Sequence, residues 1–184
     1  MAGSLILVDE FTVSTPASSF IIGGGSAGSS SLNYSMDSTH NVYMLNYQNV
    51  FMSSDGAKAR MRFTKTSDNS ADSSANYDQS HKAIYTNQGF FTSGNVNQTY
   101  IESLALGTTN PESSLGTIYC FNFVNASEYS FITRELIQTT NTPETAGIMG
   151  GAVLTVAQAT NGIQFFADTG NIASGTFSLY GLKK

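Results

Sequence analysis

Asp37, Ser38 and His40 bring a carboxylate, a hydroxyl and an imidazole into one short stretch, the residue types from which a nucleophilic triad is built. A triad needs the imidazole between the other two groups in space, and adjacency in a turn ahead of a strand does not provide that. The other histidine is His81, and the chain has no GxSxG, HExxH, phosphate-binding glycine loop or paired cysteines. Thirteen carboxylates leave room for an acid/base pair of the glycosidase kind, whose members meet only in the fold. Asp68, Asp72, Asn76 and Asp78 offer oxygens at calcium-like spacing, but Ser73 stands where such a loop needs glycine and Gln79 where it needs a bidentate glutamate. The stretch reads as a solvated acidic loop. Cys120, the single cysteine, lies within the apolar IYCFNF and reads as a small buried hydrophobe. The expectation is a chain that is not an enzyme, with no catalytic residue, no metal and no cofactor.

Binding chemistry is better supplied. Lys58, Arg60, Arg62 and Lys65 are four of the eight basic residues, all within residues 58–65 of a chain whose net charge is −5. Strict alternation over Ala57–Thr64 predicts a half-buried strand with Ala57, Ala59, Met61 and Phe63 inward and Lys58, Arg60, Arg62 and Thr64 outward. The basic cluster is then either an ordinary wet face or a docking face, with arginine forking onto an acidic partner surface. Tyr34, Tyr77, Tyr85 and Tyr129 read either as rim residues of a sandwich or as exposed rings that could stack on sugars.

These residues must be positioned by strands. Charged residues are 11% of the chain, against about 25% in ordinary soluble domains, and Ser, Thr, Asn and Gly take their place. That exchange disfavours solvent-facing helices, which need charge on their wet side, and suits surfaces that pack on protein. The acidic balance disfavours general nucleic-acid binding. No run approaches the roughly 18 apolar residues of a membrane span, and Leu5–Val8 has neither the length nor the basic flank of a secretion signal. A protein made in a cytoplasm and released by lysis or assembly is expected, and the glycosylation patterns at Asn33, Asn97 and Asn125 are taken as chance.

Strands are predicted over Leu5–Val13, Phe20–Ile22, Val42–Phe51, Ala57–Thr64, Tyr100–Leu106, Leu115–Val124, Tyr129–Ile137 and Met149–Val156, with His81–Phe91 ambiguous. Val42–Phe51 carries apolar groups on both faces, which predicts a central strand covered on both sides. Gly23–Ser31 is expected to be a flexible loop, Ser67–Gln79 an exposed loop, and Ser53–Gly56 a hairpin turn. Asn161–Lys184 reads as a closing β-hairpin, Ile163–Ala167 then Thr176–Leu182. In its last strand Phe177 and Leu179 face one way and Thr176, Ser178 and Tyr180 the other, and Gly181 leaves room for another backbone or a bend. That last strand is expected beside the first. At 184 residues the chain fits one domain, and eight to ten strands suggest an all-β, two-sheet antiparallel β-sandwich of jelly-roll type, with a barrel as the alternative.

SGTFSLYGLKK following IQFF, together with NVYMLNYQNVFMSSDGAKARMRF, resembles small β-sandwich virion proteins of tailed bacteriophages. About half of the chain carries the resemblance, and no catalytic motif lies within it. It implies a structural component of the virion, a capsid decoration or cement protein in contact with the major capsid protein or neighbouring subunits, and a homo-oligomer, with a trimer favoured. The alternative it implies is a receptor-binding tail-fibre or tail-tip domain that recognises host carbohydrate.

Overall fold

Alternating apolar and polar side chains dictate extended backbone in this chain, because residues two apart share a strand face. The computed structural model describes residues 4–24, 35–108, 112–140 and 144–182, with the backbone alone at 103–105. Its twelve strands are β1 (Leu5–Val13), β2 (Ser19–Ile22), β3 (Val42–Met52), β4 (Lys58–Lys65), β5 (Tyr77–Tyr85), β6 (Gly89–Gln98), β7 (Ile101–Ala105), β8 (Ser114–Phe121), β9 (Ser130–Thr139), β10 (Thr145–Leu154), β11 (Thr160–Ala167) and β12 (Ile172–Leu182). The described residues contain no helix. The ambiguous stretch 81–91 belongs to the hairpin β5–β6; of the predicted loop Gly23–Ser31, residues 25–31 lie outside the described residues, as does Tyr34.

Two antiparallel sheets form a β-sandwich. One has eight strands in the order β1-β12-β3-β8-β9-β10-β5-β6, the other four in the order β2-β11-β4-β7. The links β1–β2, β3–β4, β7–β8 and β11–β12 each carry the chain from one sheet to the other. Two sequence expectations are corrected by this. The closing hairpin does not form, since β11 pairs with β2 and β4 while β12 pairs with β1 and β3. Likewise Ser53–Gly56 turns a corner between sheets rather than closing a hairpin of β3 with β4. In both places each strand buries one face inward, and crossing to the opposite sheet keeps both apolar faces in the same core. Local alternation looks the same in a hairpin and in a corner.

β12 does lie beside β1, with Leu7 opposite Tyr180 and Phe11 opposite Phe177. Phe177 and Leu179 are buried and Thr176, Ser178 and Tyr180 lie on the opposite, outer face, as the alternation predicts. Gly181 makes room for a side chain rather than for backbone: a Cβ there would come within 2.2 Å of the His40 ring.

β3 is central but not covered on both sides. Tyr43, Leu45 and Tyr47 are buried while Asn46, Gln48 and Asn49 are exposed. Asn49 adopts φ 55°, and the register shifts between Tyr47 and Val50, so Val50 and Met52 also turn inward. A bulge, which adds one residue to a strand and flips the facing of those after it, accounts for Val50 and Met52, while Val42 and Met44, ahead of it, stay half-buried on the outer face.

The core is a single cluster fed by both sheets. Its centre is aromatic: the Phe177 ring lies 4.7 Å from Phe20, 4.9 Å from Phe165 and 5.9 Å from Tyr47, and Phe20 lies 4.5 Å from Phe11. Ile118, Cys120, Ile132, Leu136 and Ile148 extend it toward β10. Burial pushes the Cys120 thiol far above its ordinary range. Phe177→Ala is expected to lower stability by about 3–5 kcal/mol in urea melts, since the cavity left behind touches both sheets; a loss below about 1 kcal/mol would show that the ring does not hold them together.

Candidate interaction surface

The basic cluster sits on β4, inside the small sheet between β11 and β7. Register places Arg60 opposite Glu102, so a cross-strand ion pair follows from strand pairing. Arg60 donates to Glu102 Oε2 from Nε at 3.0 Å and from Nη2 at 2.9 Å, lies 3.7 Å from Asp168 Oδ2, and stacks 4.0 Å over the Tyr100 ring. Lys58 Nζ donates to Glu102 Oε1 at 2.8 Å. Arg62 donates from Nε to the Thr99 carbonyl at 2.8 Å and stacks over Phe166, and Lys65 pairs with Asp68 at 3.1 Å. All four expected docking residues therefore have partners within the chain. Thr64, expected outward, is fully buried and donates to Asn161 Oδ1 at 2.7 Å.

The acidic loop is also engaged locally. Asp68 accepts from the Ser70 amide and hydroxyl, bonds that with Lys65 hold its carboxyl down to about 2. Asp72 is buried and accepts from Ser74 and Gln158, and Asp78 accepts from the Asn97 amide at 2.8 Å. Among the described residues no three His, Cys, Asp or Glu side chains gather as a metal site would require. Tyr77, expected at an exposed rim, is buried: its hydroxyl accepts from Phe63 N–H and donates to the Asp72 carbonyl, so the loop folds over it. Tyr85 is half-buried and Tyr129 exposed. Asp37 accepts from the Thr39 amide, and His40 Nδ1 lies 3.2 Å from the Leu182 carbonyl. Among the described residues no hydrogen bond joins Asp37, Ser38 and His40 into a relay.

One charged group lies within the sandwich. Arg134, on β9, is 2% exposed, reaches across to the small sheet to donate to the Glu102 carbonyl at 2.8 Å, and lies 3.3 Å from His81 Nδ1. Its Nε and His81 Nε2 have no hydrogen-bond partner among the described residues. Burial and the Arg134 charge both push His81 below its ordinary value, so the imidazole is held neutral beside the guanidinium. Arg134, through the Glu102 carbonyl, ties the sheets together and faces the core rather than solvent.

Apolar chemistry that is open to solvent lies elsewhere, on the outer face of the eight-stranded sheet. Across neighbouring strands, Leu115, Ile137, Gly147, Ile84 and Phe90 stand in register as one row. The row beneath it runs Thr117, Glu135, Met149, Lys82 and Thr92. Phe90 is 71% exposed and Met149 63%, and Ile84, Leu115 and Ile137 are about half exposed. Leu115, Ile137, Ile84 and Met149 line a groove of about 510 Å³. At the other end of the same face, Leu5, Leu7, Tyr119, Phe131 and Leu182 are exposed as well. The sequence signal was present in β9, SFITRELIQT, where one parity carries Phe131 and Ile137 and the other Ile132, Arg134 and Leu136. Both parities carry apolar residues, so alternation alone does not tell the core face of β9 from its outer face.

Compared with protein-family models and with curated proteins, the chain matches none.

Because Arg60 lies between Glu102 and Asp168, Arg60→Glu would put three carboxylates together. It is expected to lower stability by about 1–3 kcal/mol in urea melts at low salt, whereas a change within about 0.5 kcal/mol would mean that the residue behaves as a free surface charge.

Proposed function

We propose that the chain is a structural subunit of a tailed-phage virion, a capsid decoration or cement protein that seats against the shell or neighbouring subunits through the outer face of its large sheet. The observation that carries this reading is the extent of exposed apolar surface on that face. Free-standing soluble proteins rarely leave contiguous apolar patches beyond a few hundred Å² uncovered. Here exposed large apolar side chains occur on β1, β5, β6, β8, β9, β10 and β12. Apolar contact replaces the electrostatic docking expected of Lys58, Arg60, Arg62 and Lys65, whose charges are engaged within the chain.

Strand order supports the finer fold reading. The quartets β1-β12-β3-β8 and β2-β11-β4-β7 have the nested connections of a jelly roll, with β5–β6 and β9–β10 added at one side of the first quartet. Jelly rolls recur in viral capsid and lectin domains, an analogy of fold that agrees with the resemblance carried by the C-terminal strand.

A cement protein acts by mass action, since whatever binds only the assembled shell lowers that shell's free energy. Particles stripped of this protein are expected to adsorb to cells as before but to release DNA at lower temperature, with stability restored on adding the purified chain. Unchanged heat stability together with lost adsorption would overturn the proposal in favour of a carbohydrate-binding tail component.

A further inference from the structure

We propose that the β8–β9–β10–β5–β6 half of the outer face pairs with the same half of a second copy, around a two-fold axis running along β10. The inference rests on the reading that this face is covered by protein, and it names the occupant of one half of it.

This half of the face is self-complementary about such an axis. A two-fold contact is isologous, so each residue must suit the residue that symmetry places opposite it. Neighbouring strands stand about 4.8 Å apart, and the patch from Leu115 to Phe90 is about 19 Å wide. With Gly147 and Met149 on the axis, rotation lays Leu115 over Phe90 of the second copy and Ile137 over Ile84. These are the exposed apolar residues of the row, and each meets another.

The row beneath decides the matter. Glu135 and Lys82 flank Met149 on adjacent strands, at equal distances on its two sides. The same rotation sets Glu135 of each copy over Lys82 of the other, giving two ion pairs around an apolar centre. Glu135 has no ion-pair partner among the described residues, and Lys82 Nζ rests 4.5 Å over the exposed Phe90 ring, free to be taken up by a carboxylate. The next row runs Tyr119, Thr133, Gly151, Ser80 and Gly94, and there the rotation sets the large Tyr119 over Gly94, where no side chain stands in the way. An uncommitted sticky face would have no reason to match in size and charge row by row. Sheets packed face to face in this way keep their strands nearly aligned, about 10 Å apart.

The test is sedimentation of the full chain over a concentration series, with Lys82→Glu, Glu135→Lys and the double exchange. The wild type should sediment as a dimer. Each single exchange sets like charges against each other twice per dimer and should weaken association about tenfold or more, and the double exchange should restore it. Gly147→Arg serves as a second probe. A Cβ at Gly147 meets nothing within 4 Å in the single chain, so the fold should accept the substitution while the axis becomes blocked. A wild type that stays monomeric, or a double exchange that dissociates like the singles, would overturn the proposal. Because the measurement uses the isolated chain, a failed role on the particle leaves this result standing, and a failed dimer leaves the role on the particle to be judged by its own experiment.

Discussion

Phe177 is the contact on which both sheets depend. It projects from β12 of the large sheet into Phe20 and Phe165 of the small one, and stacks beside Tyr47 of its own. The first and last strands are neighbours in one sheet, and β2 and β11 are neighbours in the other, so the two ends of the chain meet over this ring. Around that clamp the sheets are unequal. Four strands cannot cover the inner face of eight, and β6 is left almost wholly exposed along its length. Arg134 meets the mismatch from inside, its long side chain spanning from β9 to the backbone of β7 near the limit of the small sheet.

The uneven sandwich separates two kinds of surface. The small sheet carries the basic strand, where Lys58, Arg60 and Lys65 pair with Glu102, Asp168 and Asp68 and Arg62 is held by the Thr99 carbonyl and the Phe166 ring, so its cations are occupied within the chain. The large sheet carries little charge and much apolar area on its outer side, the composition of an interface core rather than of a rim. Low overall charge, which in the sequence is only a bias toward Ser, Thr, Asn and Gly, takes physical form as this broad, nearly uncharged face.

Much of the fold was legible from alternation. β1, β2, β3, β4, β8 and β9 fall close to their expected spans, and the inward set of β12 follows from period two alone. What alternation cannot carry is which strands share a sheet: β3 to β4 and β11 to β12 read as hairpins and are corners, because an inward face looks the same from either sheet. Nor can it choose a face when both parities are apolar. In β9 the parity holding Arg134 and Gln138 is the buried one, while Phe131 and Ile137 point out. Local hydrophobicity is balanced between the two; what distinguishes the buried one is tertiary, the reach of Arg134 to the Glu102 carbonyl on the small sheet. The basic cluster was found, but its partners were not, since Glu102 and Asp168 come from distant parts of the chain and meet β4 only through register.

The central claim is that the outer face of the large sheet is covered when the protein is at work. Met149 reports on this directly, since its thioether is open in the single chain whereas Met36 and Met52 are buried in the core. Methionine oxidation by dilute peroxide should be followed residue by residue, on the chain diluted to monomer and on its assembled form. The account predicts that Met149 oxidises rapidly in the first and is strongly protected in the second, with Met36 and Met52 slow in both. Equal rates at Met149 in the two states would contradict it.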